Sequence, residues 1–170
     1  MPRAWRLFSR GVTAVSTLFG YLSGVLIAVC AGILVYEVAV RHWLGWATDW
    51  EIELAIILLI VATFMSAAFT QAGRGHVGIE VLDTLMSRRA NRWRYLLADL
   101  LSLAFCAFIA WKSWLFFHEA WAEGRMSNTA WAPKLWPAYL SMAFGMTLLC
   151  LQLLVQIGDQ HVRPSYDEAE

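Results

Sequence analysis

Apolar residues form long uninterrupted stretches along this chain, and charged residues mark where each stretch ends. Three stretches of at least 20 residues contain no Asp, Glu, Lys or Arg: 11–36, 54–73 and 135–158. A helix of that length, rising about 1.5 Å per residue, can cross a hydrocarbon layer about 30 Å thick. The pattern therefore predicts three transmembrane helices.

A fourth stretch, from Tyr95 to Phe117, carries two charged residues, Asp99 and Lys112, which lie toward its opposite ends. A lysine close to the end of a span can extend its aliphatic stem until the ammonium reaches the interface. We therefore expect a fourth span here, third in chain order, with Lys112 near its outer end. The predicted spans are about 14–40, 52–73, 95–117 and 135–157, in a single membrane domain that covers residues 1–170.

The first stretch follows three arginines, Arg3, Arg6 and Arg10, which resemble the basic region of a secretory signal peptide. Its 26 charge-free residues exceed a normal signal-peptide core, and no clean small-x-small cleavage site precedes Glu37. This favours a retained signal anchor over a cleaved peptide.

The connections differ in basic residues. Nine Lys and Arg lie in the two tails and the middle connection, against three in the other two connections. Since basic residues concentrate on the cytoplasmic side, both termini are predicted to be cytoplasmic. Tryptophan, which favours the headgroup level, agrees, because eight tryptophans fall at the predicted outer ends or in outer loops.

The middle connection has a helical pattern of its own over residues 78–93. Apolar residues such as Leu82, Leu85 and Met86 fall on one half of a helix, polar residues fall on the other half, and Arg89 and Arg92 flank the apolar side. This predicts a cytoplasmic amphipathic helix, either lying on the inner leaflet or packing on a partner protein.

Composition agrees with an all-α integral membrane protein surrounded by lipid. Apolar residues make up 59% and charged residues 15% of the chain, against about 45–50% and about 25% in soluble domains. Lys and Arg (13) balance Asp and Glu (13), so no basic excess is available to hold nucleic acid.

Candidate chemistry is sparse. Cys30, Cys106 and Cys150 each lie within a different predicted span, away from acids and histidines, as small packing residues do. All four histidines lie outside the charge-free stretches, where they could not ligate a haem held between helices. We expect no enzyme activity, no metal and no cofactor.

Glu37 is the carboxylate best placed to carry a proton, although Arg41 lies one helical turn away and predicts an interfacial ion pair. An alternative function is therefore a self-sufficient small proton-coupled exporter that acts as a dimer, with Glu37 as proton carrier.

The first predicted helix also has a stripe of small residues at intervals of four: Gly20, Gly24, Ala28 and Gly32. Small residues allow close backbone approach in lipid, so the stripe predicts a helix–helix seam, within the chain or with another subunit.

Three short motifs resemble a known family. They are Arg41-His42-Trp43 at the end of the first span, Trp50-Glu51-Ile52-Glu53-Leu54 at the start of the second, and Arg74-Gly75-His76-Val77-Gly78-Ile79-Glu80 after it. In order and spacing they resemble the small membrane subunit, or small permease, of tripartite ATP-independent periplasmic (TRAP) transporters, over residues 18–157. The chain departs from the family pattern at Ile52, which separates two glutamates that are adjacent in the family, and at Glu80, where aspartate is usual.

The resemblance implies a non-catalytic four-helix subunit of the bacterial inner membrane. Its implied partners are a large multi-span permease subunit, which carries substrate and sodium, and a periplasmic substrate-binding protein; the imported substrate would be an organic anion. In that setting the small subunit would act as a membrane scaffold. The candidate structural or inter-subunit residues are Trp50, Glu51, Glu53, Arg74 and His76, with Gly20 and Gly24 as the helix seam.

Overall fold

Four long helices make up the part of the chain that the computed structural model describes, residues 3–46, 50–73 and 88–162. They are α1 (Arg3–Leu44), α2 (Glu51–Ala72), α3 (Arg88–Ala122) and α4 (Trp136–Val162). Each is long and apolar enough to cross a membrane. For the described residues, the prediction of an all-helical protein with four helices able to span a membrane is therefore confirmed.

The helices extend beyond the charge-free stretches. α1 already begins at Arg3, and α3 begins at Arg88, so residues 88–93 of the predicted amphipathic helix continue directly into the third spanning helix. Residues 78–87 lie outside the described part of the chain, and the position of that segment on the inner leaflet stays a prediction.

The helices pack side by side with α4 in the middle. α1 and α2 form a hairpin, α2 packs on α4, and α3 packs on the other side of α4 without comparable contact with α1 or α2. Half of the membrane-crossing window of α4 is buried, against 11% in α1, 17% in α2 and 11% in α3. The order across the bundle is thus α1, α2, α4, α3.

One continuous line of buried or half-buried side chains runs along α1 with alternating spacings of four and three residues. Its members are Trp5, Ser9, Val12, Ser16, Phe19, Ser23, Leu26, Cys30, Ile33, Glu37 and Val40. α3 has a line of the same kind at Leu96, Asp99, Leu103, Cys106, Ala110, Ser113, Phe117 and Ala120. This seven-residue repeat is typical of left-handed helix packing.

Polar side chains in these lines are satisfied locally. Ser16, Ser23 and Ser113 are almost completely buried, and each donates its hydroxyl hydrogen bond to the carbonyl four residues earlier, at 2.7–2.9 Å. Since the partner belongs to the same helix, a serine can fill a tight seam without leaving a polar group unpaired. Cys30 also lies in the seam, with its sulfur 3.6 Å from the carbonyl oxygen of Ala55 in α2.

Both chain termini lie at the same end of the bundle, because Trp5 at the start of α1 contacts Gly158 near the end of α4. We call this the terminus end, and the opposite end, where α1 leads to α2 and α3 leads to α4, the connection end. At the connection end, the rings of Trp121 and Trp136 meet edge to face, 5.1 Å apart. α1 and α3 stop here at glycines with left-handed backbone, Gly45 (φ 66°) and Gly124 (φ 61°).

The connection between α3 and α4 is held by backbone and side-chain bonds around Arg125. The N–H of Leu135 donates to the Arg125 carbonyl at 3.0 Å, while the guanidinium contacts Glu123 at 2.6 Å and Glu119 at 3.4 Å. The hydrogen-bonded Glu123 carboxylate raises the pKa of Arg125 above its ordinary value, so this residue stays charged.

Candidate functional site

The Trp-Glu-x-Glu motif lies at the first turn of α2, at the connection end. Trp50 is the N-cap residue, and its carbonyl accepts the first helical hydrogen bond from the N–H of Leu54 at 3.0 Å. The Trp50 side chain makes no capping bond and is 39% exposed. The free backbone N–H groups of this turn carry partial positive charge, which favours carboxylates such as those of Glu51 and Glu53.

Glu51 is the most enclosed polar side chain of the candidate set. It is 0% exposed, and neither carboxylate oxygen has a hydrogen-bond partner within the described residues. Glu53 is half-buried, with its Oε2 atom enclosed in the same way. A buried polar group without a hydrogen bond costs free energy, so the enclosure of these oxygens opposes the favourable effect of the helix N-terminus.

Glu37 and Arg41 form the expected ion pair on the last turns of α1. Their closest atoms, Oε1 and Nη1, are 3.7 Å apart, with the Glu37 side chain 12% and the Arg41 side chain 73% exposed. A pair with one member in solvent contributes little to stability. Its position near the end of α1 makes it an interfacial pair, as the sequence predicted.

The small-residue stripe of α1 divides between two environments. A Cβ atom added to Gly20 would collide with the ring of Phe69 in α2, whereas Gly24 and Gly32 have nothing within 4 Å of that position. Gly20 therefore belongs to the α1–α2 contact inside the chain. Gly24 faces away from the other described helices.

Arg74, His76 and the remainder of the third motif lie outside the described residues. The structure therefore places Trp50, Glu51 and Glu53 together at the connection end, while Gly20 lies in the other half of α1, toward the terminus end. The roles assigned to all of these residues stay predictions.

Sequence reasoning missed a polar cluster that joins three helices near the terminus end. Gln71 at the end of α2 donates from Nε2 to Oε1 of Gln156 in α4 at 2.6 Å, and Gln156 donates back to the Gln71 carbonyl at 2.5 Å. One turn away, Ser16 of α1 lies 3.4 Å from Oε1 of Gln152. Such interhelical bonds hold helices in register in lipid. Glutamine inside a charge-free stretch was the available signal.

Two further places where helices pack closely were also not predicted from the sequence. A Cβ atom at Gly145 of α4 would collide with the backbone of Phe64 in α2, and one at Gly158 would collide with the ring of Trp5. These glycines bring α4 against α2 and α1, and no local motif distinguishes them from other membrane-helix glycines.

The described residues contain no group of three or more His, Cys, Asp or Glu side chains that could hold a metal ion. Cys30, Cys106 and Cys150 are all free thiols. The described residues thus form a set of packed helices that are linked by interhelical hydrogen bonds, an arrangement suited to contact between helices.

One family model matches most of the chain. The model described as tripartite ATP-independent periplasmic transporters, DctQ component, matches residues 30–161. The matched segment includes α2, α3, nearly all of α4 and the last part of α1. No curated protein is similar enough to the chain to count as a match.

Proposed function

Since the chain belongs to the DctQ-component family of tripartite ATP-independent periplasmic transporters, we propose that it forms a membrane scaffold for the large permease subunit of such a transporter. It is a multi-pass membrane protein and a transporter component. The scaffold role is supported by how the four helices are arranged.

The observation that carries the proposal is the small share of helix surface that the chain buries on its own. Apart from α4, at most 17% of any membrane-crossing window is buried. A transporter that encloses its substrate within its own helices would bury far more polar and apolar surface around a central site. A row of helices with one buried member instead offers its two outer flanks to neighbours.

We propose that the complete transporter imports an organic anion, a carboxylate, across the bacterial inner membrane with sodium as the coupling ion. The large permease would carry substrate and sodium, and a periplasmic substrate-binding protein would deliver the substrate. The resemblance of the three motifs supports this assignment. Under it, the present chain needs no substrate site of its own.

The candidate residues then divide by exposure. Glu51 lies inside the chain and would act on the partner through the shape of the α2 start, whereas Trp50, at 39% exposure, could touch the partner directly. We propose Arg74 and His76 as further contacts, and Gly24 as part of a lateral surface.

The exporter alternative finds no comparable support. Its proposed proton carrier, Glu37, forms an ion pair with Arg41 near the end of α1. A proton carrier should instead lie where the membrane separates it from such a partner.

Affinity isolation tests the scaffold proposal. The tagged chain, expressed with the large permease subunit of its transporter, should co-isolate that permease in mild detergent. Changes at Glu51, Glu53 or Arg74 should lower recovery of the complex more than they alter the half-saturating substrate concentration for uptake. The matched control is Glu123→Gln, an exposed carboxylate in the α3–α4 connection. Altered substrate affinity with undiminished recovery would contradict the proposal.

A further inference from the structure

The depth of side chains in the bundle can be judged from the charge-free stretches. Those of α2 and α4 cover residues 54–73 and 135–158, with midpoints near Phe64 and Met146. Gly145 packs directly against the backbone of Phe64, so the two midpoints lie at the same level. We assign that level to the bilayer centre.

Lys112 of α3 lies close to this level. The indole N–H of Trp114 donates to Oγ1 of Thr147 at 3.1 Å, which ties α3 to the middle of α4. Lys112 is two residues from Trp114, about 3 Å along a helix axis. The structure therefore places Lys112 near mid-membrane, which corrects the expectation that it lies near the outer end of its span.

The Lys112 side chain also points away from the nearer connection end. Its Nζ lies 5.9 Å from the ring centre of Phe108, one turn toward the start of α3, and 5.4 Å from that of Trp111. Helical side chains lean toward the N-terminus of their helix, which here is the deeper direction. A four-carbon stem cannot span half of a hydrocarbon layer about 30 Å thick. The Lys112 ammonium therefore cannot reach the interface.

Within the described residues, no carboxylate forms an ion pair with Lys112. Lys112 is exposed, and within the described part of the chain its cationic contacts are the two aromatic rings. Charged side chains within membranes are costly unless they meet a polar partner, and they mark functional contacts.

Apolar residues continue the face on which Lys112 lies. These residues lie on the side of α3 opposite the buried line that packs on α4, at spacings of four or three residues. We call this side the α3 outer face, and its members are Leu97, Leu101, Phe105, Phe108, Lys112 and Leu115. Its five apolar members are 42–70% exposed. The repeat matches the spacing with which α3 packs on α4, as expected for a second helix contact.

We propose that the α3 outer face docks against a transmembrane helix of the large permease that presents an Asp or Glu carboxylate at mid-membrane, opposite Lys112. This inference rests on the proposed function and assigns the face that makes the contact. A lipid phosphate is the wrong depth, since headgroups lie about 15 Å from the bilayer centre. A second copy of this chain would bring two lysines together in a symmetric contact and repel.

Co-isolation of the permease with Lys112 variants tests the contact. Lys112→Leu should lower recovery of the permease about tenfold or more, because it leaves the partner carboxylate buried and unpaired. Lys112→Arg should retain most of the recovery. Lys134→Leu makes the same chemical change in the α3–α4 connection and should have no effect. The unfolding midpoint of the isolated Lys112→Leu subunit should not fall, which excludes misfolding as the cause.

A photo-crosslinking residue then identifies the neighbour. Placed at Phe105 it should form an adduct with the permease, whereas at Leu154, which is exposed on α4, it should not. The proposed docking face is wrong if the Lys112→Leu variant recovers as much permease as the wild-type chain does, or if the crosslinker at Phe105 labels only lipid. In either case the scaffold role still stands. If wild-type chain never recovers the permease, the proposed function fails first.

Discussion

α4 and α2 come very close at Gly145, where the atoms that an added methyl group would meet include a backbone carbonyl. A backbone group cannot rotate aside as a side chain can. Gly20 meets the ring of Phe69, which is partly exposed and has more freedom to move. The packing of α4 on α2 is thus more sensitive to substitution than that of α1 on α2.

Gly145→Ala should therefore destabilise the subunit by about 1–3 kcal/mol, the usual cost of overpacking. Gly24→Ala is the matched control, because nothing lies within 4 Å of its added Cβ atom, and it should change stability by less than about 0.5 kcal/mol. Chemical unfolding of the purified subunit in detergent measures both. Equal effects of the two substitutions would show that α4 does not approach α2 as closely as described.

Substitutions at Glu51 distinguish the effect of its negative charge on stability from the effect of its side-chain volume. Because its buried carboxylate has no hydrogen bond in the described structure, Glu51→Gln should leave the unfolding midpoint unchanged or raise it, as amide and carboxylate have nearly the same volume. Glu51→Ala leaves a void and should destabilise by about 1–3 kcal/mol. If Gln destabilised as much as Ala, the negative charge itself would be what the site requires.

Residue roles were only partly visible in the sequence. The buried line of α1 carries a small or polar residue at every seventh position, Ser9, Ser16, Ser23, Cys30 and Glu37, and this repeat could have identified the seam. The glycine stripe predicted a helix seam at both Gly20 and Gly24, but only Gly20 packs on another described helix, and Gly24 faces outward. Glycine is common in membrane helices, so its spacing alone does not say which face is packed.

At the scale of elements, the bonds between Gln71 and Gln156 fix the end of α2 against α4. Gln156→Leu removes both bonds and leaves the Gln71 amide buried without a partner, so we expect a loss of about 1–2 kcal/mol. The double variant Gln71→Leu with Gln156→Leu should cost less than the sum of the single variants, because no orphaned amide remains.

Thr70→Val is the control for this pair, since Thr70 is exposed and, among the described residues, its hydroxyl donates to the carbonyl of Ser66 in its own helix, at 3.2 Å. It should leave the unfolding free energy within about 0.5 kcal/mol of wild type. Strict additivity of the two glutamine variants would mean that the residues act independently.

Helix positions could be predicted from the sequence, because charged residues are excluded from the hydrocarbon layer and so mark the ends of spans. The order of the helices across the bundle, α1, α2, α4, α3, could not be predicted in this way. In a soluble bundle the buried face is more apolar than the exposed face, but lipid is as apolar as a protein interior, and the contrast disappears. Phe105 and Phe117 are equally apolar, yet Phe105 is exposed and Phe117 lies in the line of α3 that packs on α4.

For the whole molecule, orientation remains a prediction from the nine-to-three distribution of Lys and Arg. Alkaline phosphatase, which is active only outside the cytoplasm, should be inactive when fused after residue 90 or 165 and active when fused after residue 125. Residues 90 and 125 lie at opposite ends of α3, so the fusions distinguish the two orientations directly. Activity after residue 90 would reverse the assignment.

We propose that the whole molecule is a scaffold that acts only within a complex, with Lys112 as a contact charge on its flank. Most of the surface of α1 and α3 is uncovered in the isolated chain. A lysine at mid-membrane departs from the expectation that Lys112 lies near the outer end of its span, but Lys112 lies on the outside of the bundle and encloses no substrate. The scaffold account and the docking face are therefore compatible.

Uptake by proteoliposomes tests the central claim most directly. Vesicles containing this chain, the large permease or both are supplied with the binding protein, a labelled carboxylate substrate and a sodium gradient. The account predicts sodium-dependent accumulation only in vesicles that contain both membrane subunits together with the binding protein. Accumulation by vesicles containing this chain alone, or an undiminished rate with the large permease alone, would contradict it.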